Sequence, residues 1–283
     1  DLKFCILKMQ TVAATLLLFY RKVYNMIKIV SFYKDIILEQ EKTKKIKQRM
    51  SFNYKECQEK LFETLQKFNK GTCEFIASTD MHTKLYNYPR IERNNLDEKL
   101  LMEAIAIAND NFIQKEQGKI IFLGADHLFC ADPSIIFEDK FDIALLIVDS
   151  FDSNHYANVN NTIVVVNSDE TNIKGIRKFF KDRLDICLQL PLKERRWYAD
   201  QKSLSLLLEQ ESIISEYHKT KKTIYNFRGL KLKLIPWGSK YLKVVNSQGK
   251  YRKAADDILI DFCGRGEVKN HINKIYQNIM TGI

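Results

Sequence analysis

Residues 119–133, Lys119-Ile-Ile-Phe-Leu-Gly-Ala-Asp126-His-Leu-Phe-Cys-Ala-Asp132-Pro133, form an apolar run that leads directly into two carboxylates and a proline. Four successive apolar residues, 120–123, have the character of a parallel strand buried on both faces, and Gly124 lets the backbone leave it. A strand of this kind delivers Asp126 to the carboxyl edge of a sheet, where open α/β sheets bind their ligands. A carboxylate placed there either attracts a cation or is simply solvated, and this segment alone leaves both readings open.

The same rhythm extends in both directions. Residues 26–33 read as a first strand. Residues 54–68 then place Cys57, Leu61, Phe62, Leu65 and Phe68 at helical spacing, behind a capping-box pair of Asn53 and Glu56. Residues 73–78 read as a second strand ending at Thr79-Asp80, and a helix is expected from about Leu96 to Phe112. Residues 141–148 and 158–167 are two further apolar strands, the second followed by a helix carrying Ile176, Phe179, Phe180 and Leu184. A last helix carries Val268, Ile272, Ile275 and Ile279. Strands alternating with helices predict an α/β fold with helices flanking a central sheet.

Taken in order, these blocks resemble the GT-A fold glycosyltransferases. Gly124-Ala125-Asp126 stands where that family has Asp-x-Asp, keeping the last acid and replacing the first by Gly. Residues 131–137 resemble its D-P-L-x-x-L-F continuation, and 141–148 its D-I-A strand. Residues 158–167 resemble its x-N-x-G-x-x-x-x-N strand, with Asn161-Thr162 in place of a small residue and Gly. Residues 196–204 resemble its D-Q-x-x-L helix start, and 258–269 its H-F-x-G-x-x-K segment with Asp261 at the His position. The resemblance runs from about Met26 to the C-terminus.

That resemblance implies an α/β, GT-A-like (Rossmann-like) fold with a mixed central sheet, a nucleoside-diphosphate sugar as donor, and Mg²⁺ or Mn²⁺ held by Asp126 and Asp261. Carboxylate for imidazole at position 261 is compatible with either ion, since hard cations favour oxygen. It further implies Gly264, Arg265 and Lys269 beside the diphosphate, and nucleoside contacts from Ser31, Phe32, Tyr33 and Asp80. Asn160, Asn161, Asp200 and Gln201 would line the sugar and acceptor pocket, with Asp200 the candidate catalytic base. Read without the resemblance, Asp80 is equally a turn-forming Asp, Asp200 a helix N-cap and Gly264-Arg265-Gly266 a plain turn.

Composition fits one enzyme-sized unit. With 283 residues, 45% hydrophobic content and seventeen Phe, the chain can bury a large core, and no Ser/Gly-rich linker or fixed-period repeat divides it. Six scattered cysteines form no Cys-x-x-Cys pair, which opposes a structural zinc site and fits reduced thiols in a cytoplasmic protein. The apolar run at 11–20 is too short to span a bilayer. Met26 is therefore expected to be the natural start of a single domain, 26–283, with 1–25 an upstream helical segment or a membrane-surface anchor.

Charge is uneven. Residues 219–253 contain eleven Lys and Arg and no Asp or Glu, in a chain of net charge +10. The alternation Leu230-Lys-Leu-Lys-Leu234 reads as a half-buried strand with its lysines outward, as at a protected sheet edge. Basic and aromatic residues together can track a phosphate backbone and stack a base. Two acceptor classes follow: a glycan, lipid-linked sugar or protein, or a hydroxylated base in phage-like DNA, unstacked before modification. A nucleic-acid-binding protein with a decayed transferase site is the alternative from another class, motivated by Gly124 and Thr162.

Overall fold

The computed structural model describes residues 26–35, 53–96, 98–154, 158–195, 198–239, 242–244, 257–262 and 271–282. The expectations for residues 1–25 and for Gly264, Arg265 and Lys269 lie outside the described residues, as do Lys240, Lys250, Arg252 and Lys253 of the basic segment.

The strands are β1 (Ile27–Phe32), β2 (Cys73–Asp80), β3 (Arg90–Asn94), β4 (Lys119–Leu123), β5 (His127–Phe129), β6 (Ile143–Ile147), β7 (Val159–Asn167), β8 (Ile224–Phe227), β9 (Leu230–Pro236), β10 (Leu242–Val244) and β11 (Leu259–Asp261). Between and after them lie helices α1 (Tyr54–Phe68), α2 (Leu101–Lys115), α3 (Ile173–Gln189), α4 (Ala199–Glu209), α5 (Ile213–Thr220) and α6 (Ile272–Thr281). Eight strands form the main sheet in the order β3-β2-β1-β4-β7-β6-β9-β8, and β10-β11-β5 form a small second sheet. Strands β7 and β8 run against their neighbours while the other main-sheet pairs are parallel, so the sheet is mixed.

Successive side chains of a strand point to opposite faces, and β4 shows the result. Ile120 and Phe122 join a core with Phe112, Phe179, Leu204 and Ile214 from α2 to α5. Ile121 and Leu123 join a second core with Leu61 and Leu65 of α1. Strand β6, Ile-Ala-Leu-Leu-Ile, is 0% exposed at every position. Truncating Leu145 at its centre is expected to cost about 2–5 kcal/mol. A lower urea midpoint at unchanged slope would register this; an unchanged midpoint would contradict the packing.

Asn53 caps α1 as expected, its Oδ1 accepting the Glu56 N–H at 3.1 Å. Helix α2, however, starts at Leu101 rather than near Leu96. The buried Lys34 Nζ donates to the carbonyls of Leu96 (3.4 Å) and Lys99 (2.6 Å), which holds that stretch as a turn. Leu96 and Leu100 are buried in that turn and so imitate a helical repeat.

The basic segment also departs from expectation. Strand β9 is not at an edge; it lies between β6 and β8. Its parallel register, Ile143↔Leu232, places Lys231 at the amino end of the sheet, the edge opposite Asp126. Lys233 pairs with Asp139, and Arg228 pairs with Asp182 (3.0 Å) and Glu211 (3.2 Å). Arg228, Lys231 and Lys233 therefore offer no cationic path beside the cleft, and this part of the polyanion expectation is corrected. No helix among the described residues is long and apolar enough to cross a membrane.

Candidate metal and sugar site

The chain leaves β4 through Gly124, whose N–H donates to the Thr162 carbonyl at 3.0 Å. It re-enters the small sheet as β5, which pairs antiparallel with β11 so that His127 faces Asp261. Leu128 and Cys130 of one segment and Ile260 and Phe262 of the other pack on Ile272, Ile275 and Ile279 of α6. Alternation then sends their neighbours, His127 before Leu128 and Asp261 between Ile260 and Phe262, to the other face. The consequence is convergence of residues far apart in sequence: one ligand atom from each of Asp126, His127 and Asp261 lies within 4.8 Å of the others.

His127 was not foreseen, although its place beside Asp126 on a period-2 strand could have suggested it. Its Nδ1 sits 3.0 Å from the Gly124 carbonyl. A carbonyl only accepts, so Nδ1 carries a proton, and Nε2 is the ring atom whose lone pair a cation would use. That Nε2 is buried without a hydrogen-bond partner and lies 3.7 Å from Asp261 Oδ1. Two acceptors facing each other at this distance are suited to a shared cation. An imidazole with two carboxylates is a donor set that fits Mn²⁺ better than Mg²⁺.

Gly124, where the resemblance has an acid, is explained by the same geometry. A Cβ built there would lie 2.9 Å from Asp126 Oδ1 and 3.3 Å from His127 Cε1. Gly124→Ala is expected to displace the Asp126 carboxylate and weaken Mn²⁺ binding roughly tenfold or more while leaving the fold intact. Calorimetric titration checks this, and unchanged affinity would contradict it.

Strand β7 links this triad to the second half of the site. Its register on β6 jumps from Leu145↔Val164 to Leu146↔Asn160, leaving 161–163 without register partners there. Such irregularities re-aim side chains. Thr162 Oγ1 donates to Asp261 Oδ2 at 3.3 Å, so the residue that departs from the family pattern steadies the candidate ligand. Its neighbour Asn161 donates from Nδ2 to Asp200 Oδ2 at 2.8 Å, and Gln201 Nε2 donates to Asn160 Oδ1 at 3.4 Å. Asn160, Asn161, Asp200 and Gln201 thus lie together.

Asp200 is not the N-cap of α4, a position held by Tyr198 in a left-handed conformation (φ 70°). It sits instead in the first turn, 5% exposed, with Oδ1 lacking a hydrogen-bond partner. Burial pushes its pKa above the ordinary carboxylate value, opposed by the Arg183 charge and the Asn161 hydrogen bond.

Along the same carboxyl edge, on the strands beside β4, the expected nucleoside contacts divide. Ser31 is 0% exposed within β1, and Phe32 packs on Leu96, Ala104 and Ala108, so both are enclosed. Tyr33, partly buried beyond the end of β1, donates its hydroxyl to Asp35 at 2.6 Å. Asp80 takes the turn role, its Oδ1 accepting the N–H groups of His82 (3.2 Å) and Thr83 (2.7 Å).

No family model matches the sequence, and no curated protein matches it. Solved structures do match in fold. An active-site mutant of LgtC superposes with a TM-score of 0.52 at 12% identity, covering 90% of this chain and 96% of that one. The galactosyltransferase LgtC with donor and acceptor sugar analogues gives 0.52 at 12%, covering 91% and 96%. The apo glycosyltransferase GlyE of Streptococcus pneumoniae TIGR4 aligns over 66% of this chain and 44% of its own at 13% identity, with a TM-score of 0.41. The mixed eight-stranded sheet with its flanking helices is the GT-A glycosyltransferase fold.

Proposed function

We propose that this chain transfers a sugar from a nucleoside-diphosphate donor to an acceptor hydroxyl, using Mn²⁺ or Mg²⁺ held by Asp126, His127 and Asp261. The observation that carries this reading is the unpartnered His127 Nε2 facing Asp261 Oδ1 at 3.7 Å, beside Asp126 at the carboxyl edge. When bound, the ion would neutralise charge developing on the departing diphosphate. Gly264, Arg265 and Lys269 are proposed as diphosphate contacts on the resemblance alone, and Tyr33 as the nucleoside contact.

In the reaction the bond from the sugar anomeric carbon to the diphosphate oxygen breaks, and one to the acceptor oxygen forms. The acceptor hydroxyl gives up its proton, and Asp200 is the proposed base. A buried carboxylate whose pKa is raised holds a proton more readily than a solvated one, which suits it to act as a base. Asn161 fixes one of its oxygens, and Asn160 with Gln201 would orient the sugar hydroxyls.

The experiment is a panel of nucleotide sugars with oligosaccharide, lipid-linked and DNA acceptors, scored by mass spectrometry with Mn²⁺ and with chelator. The expected result is ion-dependent sugar transfer or donor hydrolysis. No turnover, together with no shift in melting temperature by nucleoside diphosphates plus Mn²⁺, would defeat the reading, because a ligand specific to the folded state must stabilise it.

A further inference from the structure

Two of the three candidate ligands are held, directly or through Gly124, by one residue of β7. The Thr162 backbone is fixed on both sides: its N–H donates to Asn160 Oδ1 at 2.9 Å, and its carbonyl accepts the Gly124 N–H at 3.0 Å. Gly124 in turn meets His127, whose Nδ1 lies 3.0 Å from the Gly124 carbonyl. From this anchored backbone the Thr162 side chain reaches into the small sheet, where Oγ1 donates to Asp261 Oδ2 at 3.3 Å. A side chain branched at Cβ is stiff about χ1, so the hydroxyl points in a set direction.

That contact gives the two oxygens of Asp261 different surroundings. Oδ2 faces the Thr162 hydroxyl, and Oδ1 faces His127 Nε2 at 3.7 Å. Turning the buried carboxylate so that both oxygens address one ion would break the Thr162 hydrogen bond. Ions differ in what they ask of a carboxylate. Ca²⁺ takes roughly six to eight oxygens and often grips a carboxylate by both, whereas Mg²⁺ and Mn²⁺ favour about six ligands in an octahedral array. A carboxylate tethered by one oxygen suits the second kind.

We propose that Thr162 sets the ion preference of this site: by tethering Asp261 Oδ2 it keeps Asp261 a one-oxygen ligand through Oδ1, which favours Mn²⁺ over Ca²⁺. This role rests on the reading of Asp126, His127 and Asp261 as a metal site, in which Thr162 is a positioning residue and not a ligand. The imidazole of His127 also disfavours Ca²⁺, an ion that prefers oxygen. That contribution persists when Thr162 is changed, so the two effects separate.

The test uses the wild-type chain, Thr162→Val and Thr162→Ser. Electron paramagnetic resonance of free Mn²⁺ gives the Mn²⁺ affinity, and displacement of Mn²⁺ by Ca²⁺ gives that of Ca²⁺. Val has nearly the shape of Thr without the hydroxyl, and the backbone bonds of residue 162 do not involve its side chain. The ratio of Mn²⁺ to Ca²⁺ affinity is expected to fall about tenfold or more in Thr162→Val, in line with the usual effect of groups that orient metal ligands. Thr162→Ser should restore most of it. Melting in chelator shows whether each variant is folded, and Thr162→Ala replaces a Val variant that is not.

A looser fold would lower both affinities together. An unchanged ratio in Thr162→Val therefore overturns the proposal, as does a ratio that Ser fails to restore or a wild type with no preference for Mn²⁺. If the wild type binds neither ion, the metal reading itself falls and takes this role with it. If it binds Mn²⁺ but transfers no sugar, only the transferase reading fails, and the ratio still decides what Thr162 does.

Discussion

Asp261→Ala is expected to abolish the Mn²⁺-dependent rise in melting temperature and to reduce sugar transfer roughly 100-fold or more, several kcal/mol being an ordinary contribution of a catalytic metal. The fold should survive, because Asp261 is held in β11 by backbone pairing with β5 and by its apolar neighbours. Thr162 loses one hydrogen bond, a cost of about 1 kcal/mol. Thermal scans with Mn²⁺ and with chelator, run beside turnover, separate the outcomes. A variant that still responds to Mn²⁺ would place the ion elsewhere.

Asp200→Asn is expected to lower turnover by ~10²–10⁴-fold, the usual contribution of a positioned base. Asn keeps an acceptor for Asn161 but cannot take the proton. The sign of the pH effect follows from burial raising the Asp200 pKa. As a base it works only when ionised, so wild-type rate should fall as pH drops through that raised value, and the limb should vanish in the variant. Stability runs the other way: a raised folded pKa contributes stability below the unfolded carboxylate value of about 3.9, which is lost as pH rises through the folded value. The variant should therefore show weaker pH dependence of melting. A rate within twofold of wild type would remove Asp200 from the chemistry.

Much of the architecture was legible because it rests on local signals. The run from Ile120 to Leu123 and the caps around Asn53 announce their elements through burial pattern and hydrogen-bonding chemistry alone. The pairing of Asp126 with Asp261 was also anticipated, though only through the order of family-like blocks. What could not be read were the features made by tertiary pairing. His127 acquires its place from the antiparallel register with β11, and the irregularity in β7 that divides Asn161 from Thr162 depends on β4 and β6 together. The supposed helix turn at Leu96 failed because a lysine, Lys34, was buried by carbonyls that no periodicity reveals. The outward lysines of β9 looked like edge protection because alternation tells which face a residue takes, not which strand lies beside it.

The small sheet has a consequence for how this protein should breathe. Asp126 precedes β5, His127 opens it and Asp261 closes β11, so an ion held by all three would staple those two strands at one end. Opening β5 from β11 would then require releasing the ion, and the opening free energy should rise with the logarithm of Mn²⁺ concentration above the dissociation constant. Amide hydrogen exchange in Leu128, Phe129 and Ile260 should slow tenfold for each tenfold rise in Mn²⁺. The centre of the main sheet, at Ile121 and Leu145, should respond only through global unfolding. A staple of that kind would make the satellite sheet a reporter of metal occupancy that can be read residue by residue without any substrate.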